Sequence, residues 1–84
     1  ESKETIISVY PNPFKDETTL DFGRIIDQAT IRLVDICGKV IEETLINNQD
    51  KHIISRKDKA SGVYFLETHF NQEIIIKKIV LKKN

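Results

Sequence analysis

The chain has 84 residues, with 13 basic and 13 acidic side chains and a formal net charge of zero at pH 7. A domain of this size buries only roughly 60–65% of the surface its unfolded chain exposes, which leaves no room for a second domain or a large enclosed substrate cavity. Hydrophobic residues make up 39% and charged residues 31%. That mixture suits a folded domain rather than a disordered tail, and no apolar run approaches the ~20 residues of a membrane span.

A single cysteine, Cys37, excludes an intrachain disulfide and a Cys-based zinc site. It leaves the compartment open. Because the chain starts at Glu1 without a Met or a signal-peptide pattern, it is expected to be a piece of a longer protein.

Fourteen isoleucines, five valines and six threonines stand against two alanines. β-Branched side chains are crowded on helices and fit a pleated surface, and no window keeps a helical apolar stripe. The chain reads as all-β. Ile6 to Tyr10 forms the first run, closed by Pro11-Asn12-Pro13. Thr18 to Phe22 alternates, with Thr18, Leu20 and Phe22 on one face. After Gly23-Arg24, Ala29 to Ile36 sets Ala29, Ile31 and Leu33 inward and Thr30 and Arg32 outward. Asp35 to Lys39 reads as a hairpin loop, with Gly38 supplying positive φ. Val40 to Ile46 returns along it, with apolar residues on both faces. Asn47 to Lys51 is a polar loop, and His52 to Ser55 a short run. Arg56 to Ser61 turns, Val63 to Phe70 is a long run, and Asn71-Gln72-Glu73 leads into Ile74 to Leu81. Seven strands with regular turn signals predict an immunoglobulin-like antiparallel β-sandwich, with a small barrel as the alternative.

Charge is balanced globally and not locally. Residues 1–50 carry ten acids and five bases, whereas residues 51–84 carry three acids and eight bases. Lys77, Lys78, Lys82 and Lys83 flank the isoleucine-rich terminal run. Such lysines either protect an edge strand from association or mark it for a partner. A pI near 7.0, with no aromatic residues among the lysines, speaks against nucleic acid.

Catalysis requires a nucleophile or metal beside a tuned acid or base. Cys37 lies at a hairpin tip, and nothing in the sequence orients His52 or His69 toward it. Asp16, Glu17 and Asp21 lack the frame of a calcium loop. With only Gly23, Gly38 and Gly62 there is no phosphate-binding loop. No catalytic residue, metal site or cofactor is assigned, and the chain reads as a non-enzyme.

Four local features stand in order. They are Tyr10-Pro11-Asn12-Pro13-Phe14, then Val34-Asp35-Ile36-Cys37-Gly38-Lys39-Val40, then Ser61-Gly62-Val63-Tyr64-Phe65-Leu66, and a basic-aliphatic end, Lys77-Lys78-Ile79-Val80-Leu81-Lys82. From about Ile7 to Lys83, this order and spacing resemble the C-terminal sorting domain of type IX (Por) secretion cargo. The resemblance implies an immunoglobulin-like sandwich that sends a cargo protein through the outer-membrane translocon. Its implied partners are that translocon, shuttle proteins, a surface sortase that removes the domain, and an N-terminal cargo domain. Its implied route is the periplasm, then the cell surface or medium. Pro11, Asn12 and Pro13 match the first motif of the family, Asp35, Gly38 and Lys39 the second, and Gly62 and Tyr64 the third. Lys77 to Lys82 match the terminal signal, which we expect to be the recognition element. Residues 1–5 then read as linker near the cleavage region, and 6–84 as the domain. The family usually has two aliphatic residues before the third motif, and those positions fall here on Arg56 and Lys59.

The competing reading is an immunoglobulin- or fibronectin-like adhesion or carbohydrate-binding module, which should display exposed aromatic residues. A structural linker domain in a multidomain enzyme is a third.

Overall fold

The computed structural model describes residues 7–83. The expected linker Glu1–Thr5, and Ile6 at the start of the first run, lie outside them. Among the described residues there is no helix. Five strands form: β1 (Ser8–Tyr10), β2 (Glu17–Asp35), β3 (Val40–Ser55), β4 (Gly62–Phe70) and β5 (Glu73–Leu81). Every pairing between them is antiparallel, so the all-β antiparallel expectation is borne out.

The expected count of seven strands is corrected to five among the described residues. The runs Thr18–Phe22 and Ala29–Ile36 belong to one strand, β2, and Val40–Ile46 and His52–Ser55 to another, β3. At ~3.3 Å per residue, a straight strand as long as β2 would span about 60 Å. The whole molecule measures 43 Å along its longest axis, so β2 must bend. The register with β3 shifts between Asp21 and Ile26, next to Gly23 at φ 73°. The sequence carries the same information as a parity change. Phe22 and Ala29 both face inward, seven positions apart, and strict alternation cannot place both on one face. The segment Asn47–Lys51, expected as a loop, instead pairs through Asn47 and Gln49 with Gln28 and Ile26. Its polarity marks solvent exposure of the side chains, not an unpaired backbone.

The five strands join in a single sheet rather than the separate sheets of a seven-strand sandwich. β3 follows one edge of β2 along most of its length, while β1 and β4 take the two ends of the other edge. β5 pairs with β4. Phe14, between β1 and β2, then bridges to Leu81 in β5. The sheet thereby curls back on itself around one core.

That core contains Phe14, Leu20, Phe22, Ile31, Leu33, Ile46, Ile54, Leu66, Ile79 and Leu81. The inward sets read from the sequence, Thr18/Leu20/Phe22 and Ala29/Ile31/Leu33, are all buried. Each large aliphatic side chain so placed contributes roughly 1.5–3 kcal/mol of transfer free energy. Buried Thr18 is satisfied, since its hydroxyl donates to the Pro11 carbonyl at 2.6 Å. Two-residue turn geometry closes β4 onto β5, with both Asn71 and Gln72 at positive φ.

Candidate functional site

The four sequence motifs differ in what they do. The hairpin motif is held by Asp35. Its Oδ1 accepts from the backbone N–H groups of both Cys37 and Lys39 at 2.9 Å, and its carbonyl accepts from Gly38 at 3.0 Å. Gly38 adopts φ 89° with open space around its α-carbon, so its role is backbone freedom. Lys39 contributes its backbone to the hairpin, and its side chain is exposed.

The third motif is also a local staple. Tyr64 is buried, and its hydroxyl donates to the Ala60 carbonyl four residues upstream at 2.6 Å. That bond folds the Arg56–Ser61 turn onto the start of β4. Gly62, at φ 149°, gives the chain a conformation that a side chain would strain.

The first and last motifs meet in space. Asn12 acts as a substitute strand residue along the edge of β5. Its Nδ2 donates to the Lys78 carbonyl at 3.0 Å and its Oδ1 accepts from the Val80 N–H at 2.9 Å. Phe14 continues the pairing through its backbone. Its N–H donates to the Val80 carbonyl at 2.9 Å, and its carbonyl accepts from Lys82 N–H at 2.7 Å. Pro11 and Pro13 flank Asn12, and both X–Pro bonds are cis. A proline has no N–H to leave unpaired at a sheet edge. Residues 11–14 therefore form a strap over the C-terminal half of the edge of β5.

Arg56 closes the same junction. Its Nη1 donates to the Lys82 carbonyl at 2.6 Å and to the Lys15 carbonyl at 3.1 Å, while its backbone N–H bonds Asp16. Lys59, the other departure from the aliphatic pattern, is nearly buried. Its Nζ lies 2.8 Å from Glu42 Oε1 and donates to the Ser55 carbonyl at 2.7 Å. Sequence reasoning passed over both roles because a basic residue in a turn carries no signal of a distant carbonyl. His52 is half-buried, and desolvation holds its pKa below 6.5 against the opposing pull of Glu42.

The terminal residues divide by face. Ile79 and Leu81 are core residues, 0% and 1% exposed. Val80 is half-buried, while Lys77, Lys78 and Lys82 reach solvent. Only the lysines and part of Val80 offer side chains to a partner. Lys78 and Lys82 thus lie on the outer face of a strand whose alternate residues anchor it, while Lys77, on the same side of the strand as Ile79, is exposed as well.

Among the described residues, Cys37, His52 and His69 are not brought together. Cys37 is exposed at the hairpin tip, whereas the register sets His52 opposite Leu20 and His69 opposite Thr30, down the strands from that tip. His69 Nε2 lies 2.9 Å from Glu67 Oε1. Asp21 accepts from the Tyr10 hydroxyl at 2.7 Å and from Gly23 N–H at 2.9 Å. These bonds hold its carboxyl below the usual range and push the Tyr10 phenol up. An open trough of about 460 Å³ crosses the outer face between Thr30, Arg32, Glu43, Leu45 and His69. Within it Arg32 and Glu43 already satisfy each other at 2.6 Å.

Comparison with known proteins adds one match. Residues 8–82 fit the family described as the secretion system C-terminal sorting domain. No curated protein matches the chain in sequence. The match begins at β1 and ends beside Lys82, so it includes both partners of the strap and all four motifs. The chain belongs to this family, whose members are type IX sorting signals that direct export to the cell surface or the extracellular space.

Proposed function

We propose that the exposed lysines of the strap-bound terminal strand are the part of this signal that the secretion machinery reads. Lys77, Lys78 and Lys82 stand on a strand fixed by Ile79 and Leu81 in the core and by Asn12, Phe14 and Arg56 at its edge. That anchoring at both core and edge is the observation that carries the reading. Binding a pre-ordered strand avoids the entropy of ordering a floppy tail. The partners are the outer-membrane translocon and its shuttle proteins. The cargo would lie N-terminal to this domain, pass through the periplasm, and be released when a surface sortase cuts near residues 1–5. Residues 6–84 would be the sorting domain, with no catalytic role of their own.

The adhesion-module alternative gains little from the aromatic residues. Phe14, Phe22, Tyr64 and Phe70 are buried, Phe65 is half-buried, and exposed Tyr10 is engaged with Asp21. The test is a reporter fused ahead of the domain, with Lys77 and Lys78 changed to Glu, in a host with type IX machinery. Reporter retained inside the cell, with the domain still folded, supports recognition through the lysines. Unchanged surface delivery overturns it. Mass spectrometry of delivered reporter locates the cut, and a product that keeps residues 6–84 contradicts removal.

A further inference from the structure

β5 is covered unequally. One side pairs with β4 from Glu73 to Leu81. On the other side the strap reaches only Lys78, Val80 and Lys82. Both backbone groups of a strand residue project to the same edge, and the edge alternates along the chain. Since those of Val80 face the strap, those of Ile74 and Ile76 face the same edge, and among the described residues no strand pairs with them. This open window runs from Glu73, just after the Asn71–Gln72 turn, to Lys77, just before the strap. Ile74 and Ile76 are 59% and 57% exposed, and Glu73 and Lys77 are exposed as well. An exposed, apolar, unpaired edge is a template for strand addition.

We propose that the occupant is a second copy of this chain, added antiparallel through the same window. Ile75 would face the partner's Ile75, Ile74 the partner's Ile76, and Glu73 the partner's Lys77. This register joins residues whose backbone groups point at the open edge, so reciprocal N–H···O bonds form. By symmetry it places a Glu–Lys pair at both ends. Sliding the partner by two residues keeps the backbone bonds but sets Glu73 opposite the partner's Ile75 or Ile79, leaving the charges unmatched. The window is therefore complementary to itself, whereas its Glu73 would repel an acidic strand and its Lys77 a basic one. The interface is isologous, closes after two copies, and goes beyond the sorting role.

Sedimentation equilibrium of the 84-residue chain from micromolar to millimolar concentration tests the pairing directly. The wild type should show reversible monomer–dimer exchange. Glu73→Lys or Lys77→Glu alone sets like charges opposite at both ends and should weaken the dimer roughly tenfold. The double exchange Glu73→Lys with Lys77→Glu should return it to within about threefold of wild type. Ile76→Pro removes an outward-facing N–H without touching the β4 ladder, and should abolish dimerisation while the monomer stays folded. A chain that remains monomeric throughout, or a dimer indifferent to the single charge changes, overturns the proposal. Neither outcome depends on secretion.

Discussion

Asn12 binds Val80 from 68 positions away in the chain, its Oδ1 accepting the Val80 N–H at 2.9 Å. The same side-chain amide donates to Lys78. One residue at the start of the domain therefore supplies both halves of a strand-like pairing to its end. The first motif thereby completes the edge of the last, so the terminal strand gains its full pairing only when these two distant segments come together.

Asn12→Ala should remove both bonds and destabilise the domain by about 1–3 kcal/mol. Amide hydrogen exchange should locate the loss. Val80 N–H should exchange faster, while N–H groups within the β2–β3 pairing keep their protection. Asn12→Asp retains the acceptor and loses the donor, and should fall between the two. Equal protection of Val80 in Asn12→Ala and wild type contradicts the strap.

Lys59 and Glu42 form an ion pair in which the Lys59 side chain is only 6% exposed. Lys59→Met should cost about 2–4 kcal/mol, because it leaves a largely desolvated carboxylate without its partner. Adding Glu42→Leu should recover most of the loss. Urea denaturation of the two single variants and the double variant gives the cycle.

Tyr64→Phe tests the turn staple. Loss of the bond to the Ala60 carbonyl should cost about 1 kcal/mol, with the ring still packed. Gly38→Ala should cost about 1–2 kcal/mol through backbone strain alone, since nothing crowds the added methyl. Thermal melts measure both.

His52 should make stability fall with pH. Burial depresses its pKa from 6.5, so the unfolded chain takes up a proton before the folded one does. Below about pH 6.5 the unfolded state therefore holds more protons, and the His52 contribution declines until the folded-state pKa is passed. Above pH 6.5 that contribution is constant. Replacement by Gln should flatten this part of the profile, and the His52 ring resonance, followed by NMR, should titrate below 6.5.

Much of the fold was legible where alternation was clean. The buried sets Thr18/Leu20/Phe22 and Ala29/Ile31/Leu33 follow from period two, and Asp35 with Gly38 announced its hairpin. The merging of runs into β2 and β3 was not legible. Gly23 and the polar Asn47–Lys51 segment read locally as breaks, whereas their backbones continue in a bent pair whose existence depends on the partner strand. The proline motif was legible only as an end to a strand. Its use as an edge cover depends on Lys78 and Val80, far along the chain, and no local spacing encodes that contact. Arg56 and Lys59 stood out only as departures from the family pattern, although Arg56 ties Lys15 to Lys82 and Lys59 pairs with Glu42.

Delivery itself gives the most direct measurement. Residues 1–84 are fused behind a signal peptide and a fluorescent reporter, and expressed in a host with type IX machinery and in a strain lacking the translocon. Reporter at the surface or in the medium of the competent host alone is the result expected of a sorting signal. Reporter held in the periplasm of both strains, with the domain folded and intact, would contradict it.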